Sequence, residues 1–164
     1  MLAKIKNQPP GRLIAIGFAL VILIGAFLLM LPISVRDDAN VHFIDALFTS
    51  TSAVCVTGLI SIDVADHFTF FGQVVVAALI QIGGLGVTSI GVGLILVARK
   101  NVGIKGRILV KEALNIDGIK GIVRLVKSVL LMTFCFELVG VILSFIVFVQ
   151  DYPVLKALWI SIFH

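Results

Sequence analysis

FTSTSAVCVTGL, residues 48–59, decides how the rest of the chain is read. It is rich in hydroxyls and β-branched residues, carries one cysteine and one glycine, and lies between segments apolar enough to cross a membrane. Such backbone is costly in hydrocarbon, where no water satisfies its N–H and C=O groups.

The surroundings set the class. Of 164 residues, 60% are hydrophobic and only 13% charged, with a mean hydropathy of +1.19. A soluble domain of this size could not cover so much apolar surface with so few charges. The chain therefore reads as an all-α integral membrane protein. Its formal charge of +4 leaves no basic face for nucleic acid once the apolar helices are placed. Cys55 and Cys135 lie far apart without metal-ligand spacing and read as small packing residues. His42, His67 and His164 have no spacing that points to a metal.

Residues 13–33 are apolar almost throughout and close at Pro32. At about 1.5 Å per residue such a helix spans roughly 30 Å, the thickness of the hydrocarbon core. Lys4, Lys6 and Arg12 precede it, as in a signal peptide. A signal's apolar region, however, is about 7–15 residues long and ends at a small-residue cleavage site. This run is longer and ends in MLPIS, so it reads as a retained helix. Residues 74–98 make a second span, interrupted by Gln81 and the glycines of IQIGGLGVTSIGVG, and residues 125–149 a third, carrying Glu137.

The distribution of charge orients these spans. The charged residues that precede the first span are all basic. Between the first and second, Arg36 stands against Asp37, Asp38, Asp45, Asp63 and Asp66. From Arg99 to Lys127, eight basic residues stand against Glu112 and Asp117. By the positive-inside rule the N-terminus and the second connection are cytoplasmic, and residues 48–59 belong to the outer side.

Residues 43–52, FIDALFTSTS, are apolar and helix-like, with Asp45 in the first turn where the helix dipole favours an anion. A helix of that length reaches only about 15 Å, half the membrane. One reading lays it on the outer surface. A re-entrant loop fits the continuation AVCVTGL better: the short helix descends, an extended segment climbs back, and SIDVADHFTFFG forms the outer connection. Irregular backbone at membrane depth survives only buried in protein or lining water. A descending helix aims its partly negative C-terminal end at the membrane centre, which suits a cation, and the extended residues behind it offer carbonyl oxygens able to replace a hydration shell. An ordinary outer loop remains the competing reading.

The order helix, outer loop, short apolar run returns at DYPVLKALWISIFH after the third span. The chain thus divides into a cytoplasmic tail (1–12), a helix–pore loop–helix repeat (13–98), a cytoplasmic connection (99–120) and the truncated start of a second repeat (121–164). A lone loop cannot enclose an ion, so a pore needs further loops from elsewhere.

FIDALFTSTSAVCVTGL followed by FGQVVVAALIQIGGLGVTSIG resembles the Ktr/Trk/HKT superfamily of potassium transporters, most closely its KtrB-type subunits. QPPGRLIAIGF, LLMLPIS, KEALN and SIFH are similar to that family too, so the resemblance covers essentially the whole chain, as its N-terminal portion. It implies outer helix–pore loop–inner helix repeats, four per polypeptide around one pore, of which this chain holds the first and the opening of the second. It implies a K+ selectivity filter at Val54, Cys55, Val56, Thr57 and Gly58: carbonyls of the first four line the ion sites, and Gly58 matches the family's filter glycine. Cys55 stands where similar proteins would carry threonine. The resemblance further implies K+ transport down its electrochemical gradient, gating by a KtrA-type cytoplasmic nucleotide-binding subunit, a homodimer in the bacterial plasma membrane, and in many members dependence on Na+.

Three other features are weighed beside it. Glu137 reads either as a cation or proton site or as a carboxylate bonded to a neighbouring helix; its place on an outer helix in the family arrangement favours the second. The glycines at 83, 84, 86, 91 and 93 lack the strand–turn–helix context of a dinucleotide site and read as close helix packing. ILVKEALN reads as a short amphipathic helix on the inner surface, a linker or a docking element for the regulatory subunit. A membrane-embedded enzyme needs converging ionisable or nucleophilic groups, which this chain lacks. An ion-coupled secondary cation transporter of the Na+/K+ symport type is the main alternative.

Overall fold

The computed structural model describes residues 10–86, 104–113 and 121–163. Among these there is no strand, only an isolated antiparallel bridge between Val35 and Phe68. The helices are α1 (Pro10–Leu29), α2 (Phe43–Cys55), α3 (Val64–His67), α4 (Phe70–Leu85), α5 (Ile104–Ala113), α6 (Ile122–Phe148) and α7 (Val154–Phe163). Residues 1–123 and 124–164 form two compact units. Among the described residues, two helices, Gly11–Leu29 and Ile122–Phe148, are long and apolar enough to cross a membrane.

Local chemistry sets the boundaries. α1 opens with Pro10, whose missing N–H would have no helical partner there. It ends four residues before the expected Ile33, because Pro32 disfavours helical geometry at Leu31. The Leu28 carbonyl, near the end of the helix, then accepts from Leu31 N at 3.3 Å and from Ser34 Oγ at 2.5 Å. α4 starts four residues earlier than the 74 expected, with Thr69 as N-cap: its Oγ1 accepts from Gly72 N at 3.4 Å and donates to Ile33 O at 2.6 Å. α6 likewise starts three residues before the expected 125 and ends at Phe148. Residues 87–98, which complete the expected second span and hold Gly91 and Gly93, lie outside the described residues, as do Leu114, His164 and the basic N-terminal tail.

In the first unit, α1, α2 and α4 pack mutually, and α5 packs on α1 with Val110 fully buried. The three contact faces follow helical spacing and interleave small residues with valine and leucine. Gly25, Ala26 and Leu29 are buried on α1, Ala46, Thr49, Ser50 and Ala53 on α2, and Gly72, Val75, Val76 and Leu79 on α4. Small residues allow the close approach by which helices associate where lipid removes the hydrophobic drive. Gly25 is one such crossing: a Cβ there would stand 2.5 Å from Ser50 Oγ and 2.7 Å from Leu79 Cδ1.

The segment between α1 and α4 leaves and returns at one place. Thr69 N donates to Ser34 O at 2.9 Å and Arg36 N to His67 O at 3.1 Å, while Arg36 Nε reaches Phe68 O at 3.2 Å. From this clasp α2 runs antiparallel to α1. The Phe43 ring lies 6.0 Å from that of Phe27, and a turn and more further on Ser50 Oγ donates to Ile22 O at 2.8 Å. Val54 then meets Gly83, which is 13 residues into α4 and hence about 20 Å from the clasp. The chain next turns back through residues 57–60 to α3, capped by Asp63, whose carboxylate accepts from Ala65 N at 2.7 Å. The segment thus goes in as α2 and returns through residues 57–60, which are neither helix nor strand.

In the second unit α6 exposes most of its length. On α7, Ala157 and Ser161 are buried, and Ser161 Oγ donates to Ala157 O at 2.7 Å. α2 and α7 share a register. Their fourth, fifth, sixth and eighth residues are Ala46, Leu47, Phe48 and Ser50 in one and Ala157, Leu158, Trp159 and Ser161 in the other. The alanine and serine are buried in both.

Candidate functional site

The candidate site is the end of α2 and the chain that turns back from it. Sequence alone stops the short helix at Ser52 and makes residues 54–58 extended. The structure carries the helix to Cys55. The β-branched run that argued against helix is overridden by packing on α1 and α4; of the residues expected to be extended, Val54 and Cys55 are helical and Val56 and Gly58 have positive φ.

The termination is a Schellman motif. Val56 N donates to Ala53 O at 3.3 Å and Thr57 N to Ser52 O at 3.1 Å, with Val56 left-handed between them at φ 53°, ψ 37°. Glycine is usual at that position; an L-residue pays about 1–2 kcal/mol there, and β-branching makes it a genuine outlier. Strain of this kind persists where the surroundings over-determine it, and it concentrates at functional sites.

Ser52 holds the returning chain. Its Oγ donates to Leu59 O at 2.6 Å and accepts from Thr57 Oγ1 at 3.0 Å. Gly58 follows at φ +70°, with open space where a Cβ would be. The hydroxyls that looked costly thus have assignments: Ser50 ties α2 to α1, Thr51 bonds back to Leu47 O at 2.7 Å, and Ser52 and Thr57 pin the turn. Thr49 differs, its Oγ1 buried with no hydrogen-bond partner.

The structure places the five sequence-derived site residues in two environments. Val54 is 1% exposed, and its carbonyl lies where a Gly83 Cβ would stand. Cys55, Val56, Thr57 and Gly58 are exposed. Cys55 is therefore not the packed residue expected; it ends α2 on the side turned away from the neighbouring helices, and Cys135 on α6 is exposed as well. From 54 to 60 no side chain ionises except the Cys55 thiol. What this surface offers a cation is backbone carbonyl and hydroxyl oxygen, at the partly negative end of a 13-residue helix. Sequence reasoning missed the strained Val56 and the Ser52 hub. A left-handed valine has no sequence signal, whereas Ser52, five residues before Thr57, offered a weak one.

Apolar helices packed through small residues around such a turn define a helical membrane protein. The comparisons with known proteins carry this further. Residues 13–164 match the family described as TrkH, cation transport protein. The chain is 41% identical over 159 residues to the potassium/sodium uptake protein NtpJ of Enterococcus hirae, covering 97% of this chain and 35% of the relative. It is 45% identical over 155 residues to the Ktr system potassium uptake protein B of Bacillus subtilis, covering 94% and 34%. It is 33% identical over 161 residues to the protein of the same name from Vibrio alginolyticus, covering 98% and 35%. The chain belongs to the TrkH family of cation transport proteins and is KtrB-type within it. It spans about a third of the length of these curated relatives.

Proposed function

We propose that this chain supplies the first outer helix–pore loop–inner helix repeat, and the opening of the second, of a potassium-translocating subunit. α1, the excursion 36–67 and α4 form the first repeat; α6 and α7 open the next. The shared register of α2 and α7 supports the repeat. Residues 54–58 are this repeat's share of a K+ filter. Within it, Cys55, Val56, Thr57 and Gly58 present the oxygens, and Val54 anchors them against α4. The observation that carries the reading is this exposed, uncharged turn at the end of a helix buried along one face. Carbonyl oxygens contributed by four such turns replace the hydration shell of the ion, and the helix end adds negative potential.

The charge distribution supports a multi-pass protein of the plasma membrane with its N-terminus cytoplasmic. The names of the Ktr-system relatives support K+ as the transported ion and a partnered system: a KtrA-type nucleotide-binding subunit on the cytoplasmic side and a homodimer of pores. The name of the NtpJ relative supports a part for Na+, which favors ion-coupled Na+/K+ symport as the second reading. Both are tested in proteoliposomes holding the full-length transporter. K+ flux driven by voltage alone, unchanged by an imposed Na+ gradient, is expected of a channel-like pore. Flux that follows the Na+ gradient at fixed voltage selects the symporter, and no K+ flux under either condition overturns both.

A further inference from the structure

We infer that Gly83 on α4 is a positioning residue for ion discrimination: the inner helix sets the filter through one backbone-to-backbone contact. The inference rests on the filter reading of residues 54–58 and assigns the spacing of its oxygens to a residue outside it.

A Cβ at Gly83 would overlap the Val54 carbonyl oxygen and stand 2.7 Å from its carbon and 2.9 Å from its Cα. All three are backbone atoms at the end of α2, so no side-chain rotation relieves the overlap. The requirement is local. Gly84, the next residue, has open space where its Cβ would be. The two residues point to different sides of α4, so a methyl at Gly84 leaves the contact with Val54 untouched.

Displacement at Val54 has a short route to the oxygens. The carbonyls of Ser52 and Ala53 are bonded to the N–H groups of Thr57 and Val56. Ser52 Oγ holds both Thr57 Oγ1 and Leu59 O. Residues 52–59 are thus a single cross-linked turn, and moving Val54 away from α4 carries Val56, Thr57 and Gly58 with it. Val56 already sits in a left-handed well, which leaves the turn little freedom to absorb the shift. An ion site made of carbonyl dipoles answers to small changes in their distance and number.

The test uses the full-length transporter in proteoliposomes, with KM for K+ and the K+/Na+ uptake ratio measured for Gly83→Ala, Gly84→Ala and Gly58→Ser. Both readouts are independent of how many molecules fold. Gly83→Ala is expected to raise KM or lower the ratio about tenfold, equivalent to about 1.4 kcal/mol of lost binding, while Gly84→Ala stays near wild type. A Gly83→Ala protein that loses only maximal rate, with KM and ratio as in wild type, overturns the inference, as does an equal effect from Gly84→Ala. Should Gly83→Ala fail to accumulate, it is made together with Val56→Gly, which offsets the lost stability by relieving the left-handed strain at Val56, and compared with Val56→Gly alone under the same criteria. Gly58→Ser separates the two claims. If it leaves the ratio unchanged, the filter reading itself has failed; if it shifts the ratio and Gly83→Ala does not, only the role of Gly83 has.

Discussion

Gly25→Ala and Ser50→Ala, made singly and together, test whether α2 is held in its groove by close approach. A methyl at Gly25 would stand 2.5 Å from Ser50 Oγ and 2.7 Å from Leu79 Cδ1. Overpacking of this kind costs about 1–3 kcal/mol, and alanine's better helix propensity returns about 1 kcal/mol, leaving a net loss near 1 kcal/mol. Ser50→Ala removes the hydrogen bond to Ile22 O, 2.8 Å long. Ile22 lies inside α1, so its carbonyl keeps its helical donor and nothing is orphaned; the loss is about 0.6 kcal/mol, the average for such bonds between membrane helices. The double variant lacks the hydroxyl that the new methyl strikes. Its loss should fall below the sum of the single losses by about 1 kcal/mol, a coupling that only neighbours show. Unfolding of the purified transporter in mixed micelles of rising SDS content measures all three. Additivity within about 0.3 kcal/mol, or a neutral Gly25→Ala, would refute the packing described for this crossing.

Three further outcomes follow from the same geometry. Thr49→Val should stabilise by about 1 kcal/mol in the same unfolding assay, because it replaces a buried hydroxyl that has no partner; a loss of stability would mean that the hydroxyl is bonded. Val56→Gly should likewise stabilise the end of α2 by about 1 kcal/mol through release of the left-handed strain, and a destabilised variant would show that the valine side chain is held by packing. Ser52→Ala removes the bonds to Leu59 O and from Thr57 Oγ1, each worth about 0.5–1.5 kcal/mol. It should loosen residues 57–59 and increase their amide hydrogen exchange, and unaltered exchange there would count against the Ser52 hub.

The sequence carried the first and third spans and the short helix that follows the first, because each rests on length and polarity, which residue types state directly. Pro32 marked where α1 must fail, and Asp45 marked the start of α2: its carboxylate accepts from His42 N at 3.3 Å. What it did not carry depends on neighbours distant in the chain. The run AVCV reads as extended by propensity, yet Ala53, Val54 and Cys55 are helical because α1 and α4 offer a small-residue groove to pack into. Gly83 and Gly84 are indistinguishable in GGLG, and only the arrival of Val54 from α2 separates them. The left-handed Val56 is a consequence of ending a buried helix where the chain must reverse, a demand that its own residue type opposes.

The central claim is that residues 54–58 are a filter for K+, and Gly58 is where it is most open to test. At φ +70° an L-residue adds about 1–2 kcal/mol of backbone strain, which turns the carbonyls beside it, although the open space leaves room for the side chain itself. Uptake of K+ and Na+ by the full-length Gly58→Ser transporter, compared with wild type in the same vesicles, is the direct measurement. A K+/Na+ ratio lowered about tenfold is expected, the factor that about 1.4 kcal/mol represents. A Gly58→Ser transporter that discriminates between the two ions as well as wild type does would contradict it.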